Sequence, residues 1–128
     1  MGGPADPDDS GERRSAPSAQ QVRDEICREI LRIHEESYGK GAARAHAILA
    51  EDYVVVVLDD VELMQNEKFL IEHGEEETVV QVRTQYQRAI QASFRAAIER
   101  ATGRSVIGFA SATNMDELPF VAEIFKLG

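Results

Sequence analysis

Apolar residues recur at helical spacing over residues 19–38, which predicts the first helix of the chain. The residues of this apolar stripe are Val22, Ile26, Cys27, Ile30, Leu31 and Ile33. Ser18 and Gln21 have the spacing of a capping box at the start of the helix. Gly39 stands where a left-handed residue would end it.

Two further helices are predicted in the middle of the chain. A short one covers residues 63–73 and ends at Gly74, and a long one covers residues 75–102 and ends at Gly103. The long helix begins with three glutamates and has arginine near its end, as the helix dipole favours. Its apolar stripe consists of Val79, Val82, Tyr86, Ile90, Phe94, Ala97 and Ala101.

β-branched and apolar runs predict four strands, at residues 43–49, 53–58, 105–110 and 120–127. The second strand reads YVVVVL, an unbroken run that is typical of a central strand. Glu51 and Asp52 form a short connection before it, which predicts an antiparallel hairpin. We expect Asp59 and Asp60 to end this strand, and residues 111–119 to form a loop.

The predicted order of elements is therefore α-β-β-α-α-β-β. Two hairpins in one sheet with helices on one face make a two-layer α+β sandwich with a four-stranded, mostly antiparallel sheet. Residues 19–128 form this single domain. Residues 1–18 are rich in Gly, Pro, Asp and Ser, and we expect them to be a disordered tail.

The charge of the chain excludes several classes of partner. Its 128 residues carry a net charge of -9 at pH 7. Proteins that bind nucleic acid or anionic lipid normally have an excess of Lys and Arg, so neither is an expected partner. No run approaches the roughly 18 apolar residues that a membrane-spanning helix needs. A single cysteine fits a reducing, cytoplasmic location.

The Gly39-Lys40-Gly41 sequence could belong to a phosphate-binding loop or to a plain turn. A phosphate-binding loop connects a strand to a helix N-terminus, whereas here a helix precedes the glycines and a strand follows them. The order favours a helix stop and a hinge. A weak contact of Lys40 with an anion or a partner is the alternative interpretation.

The residues that usually carry catalysis are not arranged for it. His34, His46 and His73 lie on three different elements without metal-ligand spacing, and we expect each to be solvated or partly buried. Cys27 is expected to be a small buried hydrophobe. No serine lies in a G-x-S-x-G sequence. We therefore predict no enzymatic activity, no catalytic residues, no metal and no cofactor.

Arg83 lies near the middle of the apolar stripe of the long helix, and a guanidinium there needs a partner. We expect an internal ion pair with Glu67 or Asp60, with an interface or an anion site as the alternative. An anion site would combine Lys40, Arg83 and Arg104.

The loop at residues 111–119 is the second candidate binding surface. It joins two strands, and loops on a rigid scaffold often carry binding. The exposed residues expected there are Asn114, Met115, Asp116 and Glu117. An ordinary hairpin connection is the alternative interpretation.

Several landmarks along residues 20–127 resemble the MpsC-like family in their order and spacing. After Tyr38-Gly39-Lys40-Gly41 come the segments EDYVVVVL, NEKFLIEHG, VVQVRTQYQRAI, ATGRSVIGFAS and VAEIFKL. Ala42 is a departure, because the family often has proline after the second glycine.

The family name refers to a sodium-translocating, membrane-potential-generating system. The resemblance therefore implies an accessory or regulatory role near membrane ion or inorganic-carbon transport, with an integral membrane subunit as a possible partner. The long third helix and an unpaired edge strand further predict a homo-oligomer, such as a dimer. The alternative is a stand-alone self-associating module that binds a small anion or a partner protein.

Overall fold

The computed structural model describes residues 16–38, 42–115 and 117–128. It contains three helices, α1 (Ala19–Tyr38), α2 (Gln65–Glu72) and α3 (Glu76–Thr102). Its four strands are β1 (Ala42–Ala50), β2 (Tyr53–Val61), β3 (Val106–Asn114) and β4 (Phe120–Leu127). The predicted α+β fold and the order α-β-β-α-α-β-β are confirmed. The predicted tail and the Gly39-Lys40-Gly41 hinge lie largely or wholly outside the described residues.

The four strands form one antiparallel sheet in the order β1-β2-β4-β3. The turn at Glu51 and Asp52 joins β1 to β2, and the predicted central strand lies between β1 and β4. Pairing β2 with β4 brings the two hairpins together, since each hairpin contributes one central and one edge strand. The sheet thus joins segments about 70 residues apart, such as Val56 and Glu123.

Two predicted strand ends are wrong. Asp59 and Asp60 do not end β2, which runs on to Val61, although Asp60 adopts a φ of 51°. Asp59 still pairs with Arg44 of β1 in the ladder and alternates with the buried Leu58, so it does not interrupt the strand. Similarly, β3 runs on to Asn114, because these residues pair with β4 down to Phe120.

The helices cover one face of the sheet and form the core with it. Along β2, buried residues alternate with more exposed ones, as expected when one face is covered. Helix α1 packs on β1 and β2, and α3 packs on α1 and β3. The largest buried apolar side chains are Ile26, Ile30, Leu58, Phe94, Ile98 and Phe125.

The predicted capping box of α1 is present. The backbone N–H of Gln21 donates to Ser18 Oγ at 3.1 Å, and the backbone N–H of Ser18 donates to Gln21 Oε1 at 2.8 Å. The first four backbone N–H groups of a helix have no partner within the helix, and a capping box provides side-chain acceptors for two of them. The start of α1 is therefore determined locally by its own sequence.

Replacing Gly103 with alanine should destabilise the protein by about 1–2 kcal/mol. Gly103 ends α3 with a φ of 71°, a conformation in which a Cβ atom is strained. Its backbone N–H still donates to the carbonyl of Glu99. Urea unfolding monitored by circular dichroism measures the loss.

Gly108→Ala is the matched control, because this glycine has no positive φ and a Cβ there would meet Lys126 Cβ at 3.4 Å, an ordinary distance. We expect a clearly smaller effect from it. Equal losses from the two substitutions would contradict the conformational explanation.

The buried face of α3 differs from the predicted stripe in its first half. Val82 and Tyr86 are 44% and 45% exposed, whereas Arg83 and Gln87 are buried. The second half of the stripe, including Phe94 and Ala97, is buried as predicted. The difference arises because this half of α3 packs against α2, whose Glu67 provides a partner for a buried guanidinium.

Candidate functional site

A pocket lies between the end of α1, α2 and the first half of α3, with a cavity volume of about 180 Å³. Its walls are mainly apolar, and Ser37, Asn66, Glu67 and Arg83 add polar groups. The apolar lining residues are Met64, Leu70, Val79, Val82 and Tyr86. A concave apolar surface with a few polar groups is the usual form of a small-molecule site. The pocket also explains why Val82 and Tyr86 point away from the core.

An ion pair between Arg83 and Glu67 lines this pocket. Arg83 Nε and Nη2 each donate to one Glu67 oxygen, both at 2.7 Å. The Arg83 side chain is fully buried and the Glu67 side chain is 12% exposed. Such a bidentate pair is short, directional and strong. Of the two partners expected from the sequence, the structure shows Glu67, while Asp60 pairs with Arg44.

Glu67 also caps the helix on which it lies. Its Oε1 accepts a hydrogen bond of 2.8 Å from the backbone N–H of Met64, the N-cap residue of α2. Burial alone would raise the pKa of the Glu67 carboxyl. The hydrogen bonds from Arg83 and Met64 and the positive charge of Arg83 outweigh burial and lower that pKa. Glu67 is therefore ionised at neutral pH and joins α2 to α3.

His34 is a third buried titratable group close to this pair. Burial, and to a lesser extent the positive charge of Arg83, lower the pKa of His34 to about 4, while Glu67 opposes the shift. The imidazole is therefore neutral at neutral pH. The sequence predicted a solvated or partly buried histidine, and full burial of His34 corrects this prediction. Its position one residue after Ile33, on the broad apolar face of α1, was the available signal.

The structure does not bring Arg104 to Arg83. Arg104 follows the end of α3, and the helical rise places the two residues about 30 Å apart. Its guanidinium donates to the carbonyls of Gly128 and Glu51 and to Asp52 Oδ1. These bonds connect the C-terminus to the β1–β2 turn. Lys40, the third residue of the predicted anion site, lies outside the described residues.

The connection between β3 and β4 borders an open groove. Asn114, Met115, Glu117 and Leu118 line it together with Ile71 and Glu76 of the helical layer. Leu118 is 73% exposed, but Met115 is 2% exposed and belongs to the core. The expected exposure of Met115 is thus wrong. Asp116 lies outside the described residues, and Asn114 is half-buried at the end of β3.

Glu123 is a buried acid that sequence reasoning missed. It is fully buried on the inner face of β4, where it pairs with Val56 and Ser111 of the neighbouring strands. Burial outweighs the opposing effect of the Ser111 hydroxyl and raises the pKa of the Glu123 carboxyl to about 8. Glu123 is therefore largely protonated at neutral pH. Its alternation with Val121, Phe125 and Leu127 is not a sufficient signal, because the other alternating set of β4 is equally apolar apart from Lys126.

The Cys27 thiol should react with a disulfide reagent at least about threefold more slowly than an unhindered cysteine at pH 8. Burial and the nearby charge of Asp24 raise the pKa of this thiol, although a backbone hydrogen bond opposes them. Its Sγ also lies 3.5 Å from the Ala45 carbonyl oxygen. A colorimetric thiol assay on the folded and the urea-unfolded protein checks this. Equal rates would contradict it.

No group of three or more His, Cys, Asp and Glu residues within the described ranges could hold a metal ion. Over the same ranges, no helix is both long enough and apolar enough to cross a bilayer.

The comparisons with known proteins identify a family. Neither the curated proteins nor the solved structures yielded a match. A family model described as "Na+-translocating membrane potential-generating system (MpsC)" matches residues 18–127, most of the chain. This range includes the whole sheet and all three helices. The protein therefore belongs to the MpsC family.

Proposed function

We propose that this protein is a non-enzymatic, cytoplasmic accessory or regulatory subunit of a membrane system that transports ions or inorganic carbon. The observation that carries the proposal is the family match over residues 18–127, because the description of that family names a sodium-translocating system. The subunit acts as a homo-oligomer and contacts an integral membrane subunit of the system. The single cysteine is in keeping with the cytoplasmic location.

The state of the buried ionisable groups supports a non-enzymatic role. Glu67 and Arg83 bind one another, and the Glu67 carboxylate also caps α2. The raised pKa of the Cys27 thiol is the opposite of what a nucleophile needs. The Glu67–Arg83 pair stabilises the packing of α2 on α3.

A tagged pull-down from native cells, with membranes and cytosol processed separately, tests the proposal. We expect recovery of an integral membrane transport subunit with the wild-type chain. Leu118→Lys at the exposed groove should weaken this recovery if the groove is the contact. Phe69→Lys on α2 is the control, because the Phe69 side chain is also largely exposed, at 57%. This substitution should not weaken the recovery. Recovery of the protein alone, entirely from the cytosol, would refute the transport association.

A second candidate function is the binding of a small ligand in the pocket at Arg83. Its support is the apolar cavity of about 180 Å³ with an ion pair in its wall. A ligand that binds only the folded state raises the unfolding temperature. Thermal unfolding with phosphate, bicarbonate or nucleotide, compared between wild type and Val82→Trp, tests this function. Stabilisation that persists after the tryptophan fills the pocket would refute binding at this site.

A further inference from the structure

The face of the sheet opposite the helices carries a band of apolar side chains, and no described element covers it. We call it the outer face. Its middle contains two rows that run across all four strands. In the first, Ile48, Val55, Ile124 and Ala110 pair in succession. Ile48 is 53% exposed and Ile124 is 36% exposed, so three branched side chains form a ridge.

The second row is lower. Val57, Ala122 and Ala112 pair in succession next to the ridge, with His46 at the β1 end. Two of the four side chains are methyl groups, so this row forms a trough beside the ridge. The two rows are about 7 Å apart along the strands, the distance between side chains on one face of a strand.

Charged groups on the outer face lie at its two ends. At one end Lys126 pairs with Tyr53, and its ammonium lies 5.7 Å from the centre of the tyrosine ring. At the other end Asp59 pairs with Phe120 and contacts His46 at 3.2 Å, and Arg44 contacts Asp60 at 3.0 Å. The middle of the face, on β2 and β4, carries no charge.

We propose that the outer face is the interface with a second copy of this chain, related by a twofold axis that runs across the strands between ridge and trough. This axis places the ridge of each copy over the trough of the other. It also places Lys126 of each copy over Phe120 of the other, beside Asp59 on the neighbouring strand, so that this ammonium and this carboxylate come close. The proposal specifies the surface behind the self-association in the proposed function and is independent of the transport association.

The size of the outer face fits a dimer of this kind. Four strands about 4.8 Å apart and four rows about 7 Å apart cover a flat area of about 500 Å². The relief of the side chains raises the accessible area above this projection. Specific interfaces begin at about 600 Å² per partner. Both copies contribute the same patch, as a closed twofold interface requires.

Sedimentation equilibrium of the full chain is the first test. We expect a dimer of the 14.2 kDa chain. Ile124→Lys should raise its dissociation constant at least about 30-fold, because the twofold axis buries two unpaired ammonium groups in each dimer. Phe69→Lys adds the same charge on α2 and should leave the constant unchanged. Circular dichroism shows whether each variant stays folded.

Charge reversal tests the orientation of the two copies. Lys126→Glu and Asp59→Lys should each weaken the dimer about three- to tenfold, and the double variant should recover most of the loss. A monomeric wild-type chain would overturn the proposal, as would a dimer that Phe69→Lys disrupts and Ile124→Lys does not. A monomer that loses a membrane subunit on Ile124→Lys would assign the face to a different protein and would also overturn it. Loss of the transport association alone leaves the dimer intact.

Discussion

Replacing Arg83 with methionine should destabilise the protein by about 3–5 kcal/mol at pH 7. The substitution keeps the apolar stem of the side chain but removes both hydrogen bonds to Glu67. The carboxylate is then left largely buried without its positive partner. Urea unfolding followed by circular dichroism measures the loss. Arg88→Met removes the same charge from an exposed position of α3 and should change stability by less than about 0.5 kcal/mol.

A double variant separates the cost of a lone charge from the contribution of the pair. Arg83→Met with Glu67→Met replaces the ion pair by two apolar side chains, and should recover most of the loss. The loss of the N-cap bond to Met64 limits this recovery by about 1 kcal/mol. The destabilisation by Arg83→Met should also decrease at acidic pH, because protonation of Glu67 removes the buried charge that Arg83 neutralises. A loss under 1 kcal/mol at pH 7 would contradict a structural ion pair.

The helices could be predicted well from local sequence, because periodicity and caps depend on neighbouring residues. The start of α1 at Ala19 follows from the Ser18–Gln21 box, and the end of α3 follows from Gly103. The position of Arg83 in an apolar stripe also indicated a buried guanidinium. Its exact partner could not be derived, because Glu67 lies 16 residues away on another helix.

The inner face of the sheet could not be assigned from the sequence. In β4, one alternating set contains Glu123 and the other contains Lys126, and both sets are otherwise apolar. Periodicity alone therefore gives no reason to choose between them. The choice depends on which face the helices cover, a tertiary property. For the same reason the pocket was missed, because Val82 and Tyr86 are apolar without facing the core.

Replacing Glu123 with glutamine should stabilise the protein by about 2–3 kcal/mol at pH 7. In the folded protein burial raises the pKa of this carboxyl to about 8, compared with 4.5 for an exposed glutamate. Between these values the unfolded state ionises Glu123 while the folded state keeps the proton, so stability falls as pH rises. The fall is about 1.4 kcal/mol per pH unit, or about 3 kcal/mol by pH 7. Glutamine is neutral in both states and removes this cost.

The pH dependence of the difference between variant and wild type identifies the group. We expect the stabilisation by Glu123→Gln to be small at pH 4.5, to increase with pH and to level off above about pH 8. Glu72→Gln makes the same substitution at an exposed position and should show no such increase. Urea unfolding at half-unit pH intervals provides the measurement. A difference that stays constant from pH 5 to pH 8 would show that Glu123 is ionised when folded.

His34 and Glu123 affect the pH dependence of folding stability in opposite directions. Together they determine the shape of the stability–pH profile of the wild-type protein. The pKa of His34 is lowered from 6.5 to about 4, so the unfolded state binds the extra proton and stability rises with pH between these values. From about pH 4.5 to 6.5 the two slopes are equal and opposite, and their sum is flat. Above pH 6.5 only Glu123 contributes, and stability falls.

Replacing Glu123 with glutamine should therefore leave only the contribution of His34, a rise in stability of about 1.4 kcal/mol per pH unit up to pH 6.5, followed by a plateau. Adding His34→Asn to Glu123→Gln should abolish that rise, and a rise that persists in the double variant would exclude His34 as its source.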